Sequence, residues 1–362
     1  MEIETILKKK EWEKTDLITL LNCRDSAEEE LFRHTRQLRN ATLGNSVHMR
    51  GLIEISNICI KDCLYCGIRK SNSQAQRYQL EDREIIEAAV FAYQNHYGSI
   101  VLQGGERTDP GFILRIENLI KEIKRLSGQG LGITLSLGEQ TEETYQRWFD
   151  AGAHRYLLRI ETSNKELYRK IHPDNPQHHF HTRLNCIRLL QHCGYQTGTG
   201  VMIGLPFQTV EDLADDLLFL KEMDIDMVGM GPYLEHRDTP LWSYRNLLLP
   251  QTERLRLGLH MISCLRLLMP DINIAATTAL QAIDPQGREQ ALSIGANVIM
   301  PNITPLGNRG NYRLYENKPG MDEGAEESTR RLAESIRKSG CEIQPDAWGD
   351  SLHFELRTKK EG

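Results

Sequence analysis

The sequence predicts an α/β fold, a parallel (β/α)8 barrel of the TIM type with an N-terminal helical extension and a C-terminal closing helix. Two features carry this prediction. Eight short apolar runs alternate with amphipathic stretches along the chain. The runs lack strict polar–apolar alternation, which is typical of strands buried on both faces of a parallel sheet. A doubly wound open sheet uses the same order of elements and is the alternative. Either fold places functional residues at the carboxyl ends of the strands.

The elements follow in chain order. The predicted strands are residues 52–56, 99–103, 132–137, 156–160, 198–203, 227–231, 272–276 and 297–300. Helices are predicted over residues 82–97, 112–126, 142–151, 183–192, 210–223, 251–268 and 288–294. Thr141 and Thr209 precede acidic first turns and are predicted N-caps. A helical preface at 15–42 and a closing helix at 322–340 complete the pattern. The predicted units are therefore an extension (1–46), the barrel (47–316) and a C-terminal helical segment with tail (317–362).

Composition excludes several classes of protein. The chain has 362 residues, of which 40% are hydrophobic, enough for a large buried core. Its formal net charge is -6 and it has no basic block, so a nucleic-acid-binding surface is not expected. No apolar stretch approaches the ~20 residues of a membrane helix, and the polar N-terminal segment does not resemble a signal peptide. A soluble cytoplasmic enzyme is the expectation.

Three of the eight cysteines lie within eight residues, after the first predicted strand. Cys59, Cys63 and Cys66 have the spacing C-x3-C-x2-C, and the other cysteines are scattered, as expected in a reducing compartment. Three thiolates on one loop favour a soft metal centre. Zinc usually takes a fourth ligand from a second pair, which is missing here, whereas a 4Fe–4S cluster held by three cysteines keeps one iron open. A zinc knot and three incidental core cysteines are the alternatives.

Other strand ends carry polar residues. The turn Gly104-Gly105-Glu106 permits close backbone approach to a ligand and offers a carboxylate to an ammonium group, although a plain βα turn has the same composition. Arg159 and Glu161 fall on the same side of the fourth strand, which predicts a polar cavity in the barrel mouth, with an ordinary ion pair as the alternative. Arg183 opens the next predicted helix and, taken alone, is typical of a surface arginine.

Three histidines and two strand-end threonines are further candidate site residues. His178, His179 and His181 lie in a polar loop, so solvated side chains are expected there rather than a metal site. Thr277 and Thr278 end the seventh strand and offer hydroxyl donors, though β-branched residues also simply favour strands.

The cysteine spacing, with Tyr65 directly before Cys66, resembles the C-x3-C-x-aromatic-C motif of the radical S-adenosylmethionine (SAM) superfamily. The resemblance implies that SAM binds the open iron of the cluster, and that electron transfer cleaves a carbon–sulfur bond to give methionine and a 5′-deoxyadenosyl radical. Gly104–Glu106 is similar to the superfamily's second signature, which holds the SAM amino group. The segment from Gly200 to Gly204 is similar to its adenine-contacting stretch, with Met202 where isoleucine is usual.

Longer segments narrow the resemblance. ITLSLGE, RYLLR-x-ET, LPFQT, ATTA and GANVIMPN-x-TP resemble the HydE family of FeFe-hydrogenase maturases, over about residues 47–315, with methylornithine synthase and biotin synthase as related groups. This implies a radical SAM enzyme that assembles the diiron part of the hydrogenase active site from an iron–cysteine carbonyl/cyanide complex. The implied cluster ligands are Cys59, Cys63 and Cys66. The implied SAM-binding residues are Tyr65, Gly104, Gly105, Glu106, Ser136, Glu161, Arg183 and Met202. The implied substrate cavity contains Thr134, Arg159, Thr277, Thr278, Met300 and Tyr312.

The same resemblance implies its partners: a small organometallic or amino-acid-derived substrate, the other hydrogenase maturases, and an electron donor such as ferredoxin or flavodoxin. Two departures matter. Some family members hold a second cluster through C-terminal cysteines, but the matching stretch YENKPGMDEGAEES has none, so one 4Fe–4S cluster is predicted. Position 160 is isoleucine where some members have histidine, and position 104 is glycine where some have serine. These two differences leave open which reaction the cavity supports. The rival hypotheses are an amino-acid mutase of the methylornithine synthase type and a non-catalytic carrier of an iron centre.

Overall fold

Eleven strands are present in the described part of the chain, which is residues 2–320 and 324–361 of a computed structural model. In chain order they are β1 (Ser46–Ser56), β2 (Ser99–Gly104), β3 (Gly132–Ser136), β4 (Arg155–Leu157), β5 (Gln196–Thr199), β6 (Met202–Ile203), β7 (Met227–Val228), β8 (Gly231–Pro232), β9 (Asn273–Ile274), β10 (Val298–Ile299) and β11 (Glu342–Ile343). Most are short and buried on both sides, as strands enclosed by helices are.

Eight of these strands form a closed parallel ring. Their order is β10-β1-β2-β3-β4-β5-β7-β9, and every pairing along it is parallel. Two backbone hydrogen bonds close the ring between β9 and β10. Asn297 donates its N–H to the Ile274 carbonyl, and Ala276 donates to the Val298 carbonyl, both at 2.9 Å. The fold is therefore the predicted barrel and not the open sheet.

Fifteen α-helices are described. They are α1 (Glu2–Leu7), α2 (Lys14–Asn22), α3 (Asp25–Leu43), α4 (Asp82–Gln94), α5 (Pro110–Leu126), α6 (Glu142–Asp150), α7 (Lys165–Ile171), α8 (Phe180–His192), α9 (Val210–Glu222), α10 (Gln251–Leu268), α11 (Thr278–Ile283), α12 (Gly287–Ile294), α13 (Leu306–Arg309), α14 (Ala325–Lys338) and α15 (Leu352–Glu361). Two 3-10 helices span Pro176–His178 and Pro240–Leu247. Thr141 and Thr209 cap α6 and α9, as predicted. Within the described residues, no helix has the length and apolar character needed to cross a membrane.

Each predicted strand run contains a strand, but two runs are divided. Residues 198–203 hold β5 and β6, and residues 227–231 hold β7 and β8, with β6 pairing β8 beyond the ring. Gly200 and Gly229 lie in the two gaps, where the backbones are in close contact: a Cβ on Gly200 would lie 2.0 Å from the Gly229 carbonyl oxygen. The sequence pattern does not predict α1, α7, α11, α13, α15 or β11.

The helical preface predicted at 15–42 is helical but is divided into α2 and α3. Cys23 and Arg24 are extended, and Asp25 has a positive φ of 54°. Both resulting helices pack against α10, and Leu17 in α2 and Leu31 in α3 are fully buried. The break lets two straight segments follow the curved outer surface of the barrel, so each buries its own apolar face.

The C-terminal tail covers the amino-terminal end of the barrel. The helix predicted at 322–340 is α14, and its first two predicted positions lie outside the described residues. Further along, the Asp350 carboxylate forms an ion pair with Arg155 at the start of β4. Arg50 of β1 donates to the Gly349 carbonyl at 2.9 Å, and Asn273 of β9 donates to the same oxygen at 2.9 Å. Three strands are thus tied to one turn of the tail.

The tail also predicts a pH dependence of stability. His353 Nδ1 lies 3.0 Å from Asp271 Oδ1, and its Nε2 lies 2.7 Å from Asp224 Oδ1. The hydrogen bond to Asp271, followed by that to Asp224, raises the pKa of His353 to about 9. A raised histidine pKa stabilises the fold fully below the unfolded value of about 6.5, and the contribution is lost as pH rises through the folded value.

We therefore expect the unfolding free energy of the wild type to fall by about 1–2 kcal/mol between pH 6.5 and 9.5, a figure that allows for solvent screening. The His353→Gln variant should not show this fall. Urea denaturation of both proteins across this range measures the difference. Parallel curves for the two proteins would show that the aspartates do not hold a charged His353.

Candidate active site

The loop that carries the three cysteines follows β1 and is held from several sides. Cys59 Sγ accepts the backbone N–H groups of Lys61 at 3.4 Å and Glu106 at 3.3 Å. Leu64 donates its N–H to the Ile171 carbonyl at 3.0 Å and accepts the N–H of Leu241 at 3.1 Å. The loop is thus fastened to the Glu106 turn, to the end of α7 and to the 3-10 helix Pro240–Leu247.

The donor set of this loop fits an iron–sulfur cluster. All three thiols are free and half-buried, and burial raises the pKa of Cys63 to about 12 and raises the pKa of Cys59 and Cys66 as well. Thiolates here therefore need a metal cation to offset burial. The described residues include no group of three or more His, Cys, Asp or Glu side chains placed to hold a single metal ion. Three free thiols on one loop supply the three-cysteine donor set that leaves one iron of a cubane open.

The Gly104–Glu106 turn packs directly under the cysteine loop. Gly105 donates its N–H to the Ser56 carbonyl at 2.9 Å. A Cβ on Gly105 would lie 2.3 Å from the Ile58 carbonyl oxygen and 2.8 Å from Cys59 Cβ, so only glycine fits. A Cβ on Gly104 would meet its nearest neighbours, Ile55 Cγ1 first, at 3.3 Å or more. Glycine is therefore needed on steric grounds at position 105, and less so at position 104, where some family members have serine.

This difference makes the two glycines a matched pair for a test. We expect Gly105→Ala to lower the free energy of unfolding by about 1–3 kcal/mol, because backbone atoms of the cysteine loop must move. Gly104→Ala should cost clearly less. Chemical denaturation of the two variants beside wild type measures the difference, and equal costs would show that the loop and the turn are not tightly packed.

Four buried charged side chains lie beside the loop. Lys61 Nζ is 2.7 Å from Glu139 Oε2 and 3.3 Å from Glu106 Oε1. Arg183 Nε donates to Glu139 Oε1 at 2.5 Å, and its Nη2 is 3.9 Å from Glu106 Oε2. All four residues are less than 10% exposed. Two cations and two carboxylates therefore form one compact, charge-balanced network, which we call the buried tetrad.

The two carboxylates of the tetrad differ in their surroundings. Burial opposes ionisation of Glu139, but the charges of Arg183 and Lys61 outweigh burial and hold the pKa of Glu139 below its usual value. Burial and then the Glu139 charge raise the pKa of Glu106. Glu106 Oε2 accepts the backbone N–H of Glu139 at 2.9 Å. Glu139 is thus the fixed anion of the tetrad, and Glu106 is the carboxylate with a less satisfied charge.

Arg183 links the tetrad to the segment after β4, and its burial shows that the alternative of a surface arginine is wrong. It is 7% exposed and lies inside α8, which begins at Phe180. Its Nη1 donates to the Arg159 carbonyl at 2.7 Å. Arg159 Nη2 in turn lies 3.0 Å from Glu161 Oε2, so the two side chains form the ion pair given as the alternative. Both residues lie just beyond β4, which ends at Leu157 and not at residue 160 as predicted. Glu161 has a positive φ of 69°, in the left-handed region that bulky residues rarely adopt.

Tyr65 and Met202 share a small apolar cluster behind the cysteine loop. Met202 is buried there with Leu205 and Leu241, and Tyr65 packs against them. The Tyr65 hydroxyl is 3.4 Å from His172 Nε2. Ser136, the last residue of β3, is half-buried and pairs in register with Gln103 of β2.

The histidine loop is only partly solvated, which corrects the expectation for His178. His179 and His181 are exposed, but His178 is buried, and its Nε2 accepts the N–H of Asp62 at 2.9 Å. Burial, and then the nearby Lys61 charge, lower the pKa of His178 to about 4. A neutral imidazole therefore fastens the cysteine loop to the segment before α8.

The residues expected in the substrate cavity fall into two groups. Thr134 and Met300 line one cavity inside the barrel, where Thr134 accepts a hydrogen bond from Arg155 Nε at 3.0 Å. The others lie nearer the mouth. Thr278 Oγ1 is 2.9 Å from the Tyr315 hydroxyl, and the Tyr312 hydroxyl accepts from Gln103 Nε2 at 3.3 Å. Thr277 donates to the Met230 carbonyl at 3.3 Å.

The sequence reasoning missed four charged residues of this region. Lys61 and Glu139 belong to the buried tetrad. Glu54 of β1 is 1% exposed, and it forms an ion pair with Lys318 and accepts from Asn302 Nδ2 at 3.0 Å. Two features of the sequence point to these residues. Lys61 lies between Cys59 and Cys63, and Glu139 is the last residue of the segment ITLSLGE. Ile160 belongs to the hydrophobic core and is fully buried, so it packs away from the Arg159 side of the strand.

Comparison with known proteins gives consistent relatives. Residues 53–220 match the Radical SAM superfamily. The chain is 46% identical to the [FeFe] hydrogenase maturase subunit HydE of Thermotoga maritima, covering 88% of each chain. It is 28% identical to 3-methylornithine synthase of Methanosarcina acetivorans, covering 92% of this chain and 90% of that one. A solved structure of methylornithine synthase is similar with a TM-score of 0.77 at 25% identity, covering 96% of this chain and 98% of that one. The hydrogenase maturase HydG shares the fold, with a TM-score of 0.76 at 20% identity, covering 95% of this chain and 75% of that one.

Proposed function

This chain belongs to the radical SAM superfamily and, within it, to the HydE family of hydrogenase maturases, and from that premise we propose that it acts in assembly of the diiron part of the FeFe-hydrogenase active site. The observation that carries the proposal is the 46% identity to a HydE subunit across 88% of both chains. The methylornithine synthases, at 28% identity, are more distant.

Radical SAM enzymes use a 4Fe–4S cluster and SAM, and the residues at the barrel mouth fit both. The cluster would be held by Cys59, Cys63 and Cys66. When bound, the cluster and SAM supply a 5′-deoxyadenosyl radical by one-electron cleavage of a carbon–sulfur bond. The chain itself positions these groups: two backbone N–H groups point at Cys59 Sγ, and N–H···S hydrogen bonds are one means of tuning cluster potential.

We propose that SAM lies between the cysteine loop and the strand ends. Glu106, the less satisfied carboxylate of the tetrad, would take the SAM ammonium group. Arg183 would position Glu106 through Glu139, which both side chains contact. Tyr65 and Met202 supply an apolar wall. The remaining proposed SAM contacts are Gly104, Gly105, Ser136, Glu161 and Arg183.

We propose that the substrate is a small iron–cysteine carbonyl/cyanide complex made by another maturase. Arg159, which stays one-third exposed beside Glu161, would attract the negative charge of the complex. Thr277, Thr278 and Tyr312 would line the same mouth, with Thr134 and Met300 deeper in the barrel. A ferredoxin or flavodoxin would be the electron donor, and the cytoplasm the expected location.

The test measures adenosyl products anaerobically. Protein reconstituted with iron and sulfide is reduced, mixed with SAM, and assayed with and without the iron–cysteine complex. We expect faster SAM cleavage, or a new adenosyl adduct, only with the complex, and we expect Arg159→Ala to keep SAM affinity while losing this dependence.

Two other outcomes count against the proposal. SAM cleavage that ignores the complex but responds to an amino acid such as lysine would favour a mutase of the methylornithine synthase type. No cleavage by protein shown to carry the cluster would favour a carrier of iron centres.

A further inference from the structure

An exposed apolar patch lies on the rim of the barrel mouth. Phe207 follows β6, and Tyr244, Leu247 and Leu249 lie in or just after the 3-10 helix Pro240–Leu247; they are 38%, 44%, 59% and 47% exposed. Side chains three apart in a 3-10 helix share a face, so Tyr244 and Leu247 point the same way. The rings of Phe207 and Tyr244 meet edge to face at 4.9 Å. We call these four residues the rim patch.

Phe207 is held in this exposed position at a conformational cost. Gln208 donates to the Leu205 carbonyl at 3.2 Å, closing a turn in which Phe207 is the third residue and has φ 70°. That position favours glycine or asparagine, because a side chain strains the left-handed backbone. A large apolar ring in such a place, with more than a third of its surface in water, adds little to folding and indicates a binding role.

The rim patch connects directly to the cysteine loop. Leu241, in the same 3-10 helix as Tyr244, donates its N–H to the carbonyl of Leu64 at 3.1 Å. Leu64 stands between Cys63 and Tyr65 in the sequence and packs with Leu241 in the apolar cluster behind the loop. A protein seated on the rim patch is therefore separated from the cluster ligands by one short stretch of packed chain.

Positive charge borders the patch. Lys170 Nζ lies 5.1 Å from the centre of the Phe207 ring, and the Arg245 guanidinium lies 5.0 Å from the Trp242 ring. Both residues are exposed, and neither makes an ion pair with a carboxylate in the part of the chain that the structure describes. The chain as a whole has a net charge of -6, so this cationic border is a local exception.

We propose that the rim patch docks a small acidic one-electron carrier protein, which reduces the cluster. The inference rests on the proposed function only in requiring a bound cluster that accepts electrons. One electron leaves the carrier, which is oxidised by one, and enters the cluster, which is reduced by one; a flavodoxin hydroquinone becomes its semiquinone in this step. Electrostatic complementarity selects an acidic partner. A second copy of this chain would bring Lys170 and Arg245 against their own like charges.

Binding of flavodoxin to the reconstituted protein tests the patch. We expect Lys170→Glu/Arg245→Glu to weaken the dissociation constant at least tenfold at low ionic strength, with the deficit shrinking as salt is added. Tyr244→Ser/Leu247→Ser should weaken binding with little salt dependence. The matched controls are Arg188→Glu on α8 and Tyr93→Ser on α4, where Tyr93 is 43% exposed; both should bind as wild type does.

Reduction rates give the second readout. When flavodoxin hydroquinone reduces the cluster, the rate in each variant should fall in proportion to the loss of flavodoxin affinity. Reduction of the cluster by dithionite should stay at the wild-type rate. Binding within twofold of wild type for both double variants would overturn the proposal. A wild-type dimer that the variants abolish without any change in flavodoxin binding would also overturn it, by assigning the patch to a second copy. Neither readout needs the maturation substrate, so failure of the proposed function would leave these results unchanged.

Discussion

The Cys63→Ser variant is expected to fold as wild type does and to hold no cluster. Serine offers a hard, protonated oxygen where iron requires a thiolate, and the two remaining cysteines cannot hold a cubane alone. Iron content after reconstitution should fall from about four per chain to near zero. SAM cleavage should fall by more than about 100-fold, since even changes outside the ligand set cost 10–100-fold.

Cys193→Ser is the matched control for this variant. Cys193 is also a free thiol, but it closes α8 and lies 4.0 Å from the Glu142 carbonyl oxygen, away from the cysteine loop. It should bind iron as wild type does. Normal cluster content or normal hydrogenase maturation by Cys63→Ser would remove the triplet from the proposed site, whereas loss in both variants would point to a folding defect.

The Glu139→Gln variant is expected to lose about 3–5 kcal/mol of unfolding free energy, because it leaves the buried cations Lys61 and Arg183 with a single carboxylate, Glu106. Glutamine keeps the shape of the side chain, so the loss reports charge rather than packing. Chemical denaturation measures it. The exposed pair Glu122–Arg125, at 2.6 Å, provides the control: Glu122→Gln should leave stability unchanged.

A compensating double variant sharpens the test of the tetrad. Lys61→Gln/Glu139→Gln retains one cation and one carboxylate, Arg183 and Glu106, so it should recover a substantial part of the loss. If Glu139→Gln costs less than about 1 kcal/mol, or if the double variant is no more stable than the single one, the four side chains do not act as one charge-balanced unit.

Local patterns predict the alternation of strands and helices and favour the barrel, whereas the hydrogen bonds that close the ring between β9 and β10 exclude the open sheet. Each apolar run contains a strand, and the run 99–103 lies wholly within β2. The amphipathic stretch 251–268 matches α10 residue for residue. Periodicity reports which faces of a segment are buried, and capping residues such as Thr209 mark where a helix begins. The break at Cys23–Asp25 was not predictable in this way, because apolar spacing continues on both sides of it and only the curved barrel surface decides the bend.

The predicted site residues were found by motif and spacing, and their chemical roles remain proposals. Alternation along a predicted strand places Arg159 and Glu161 on the same side and favours a polar cavity, with an ion pair as the alternative. In the structure β4 ends at Leu157, and the two side chains pair just beyond it. Sequence alone predicts a solvated His178 and leaves a surface position open for Arg183, because charged and polar residues in isolation are usually solvated. Their burial depends on partners elsewhere in the chain, Asp62 for His178 and Glu139 for Arg183.

By itself, the sequence determined the alternation of strands and helices, the three thiols on one loop and the family to which the chain belongs. Each of these depends only on the order and spacing of residues within short segments. The tertiary structure alone decided the buried tetrad, the Glu54–Lys318 pair and the tail that covers the barrel floor. Lys61 and Glu139 are 78 residues apart, Arg155 and Asp350 are 195 apart, and Glu54 and Lys318 are 264 apart. Such pairs form only because the barrel closes and the loops follow particular paths. The periodicity of apolar residues along a segment predicts neither of these.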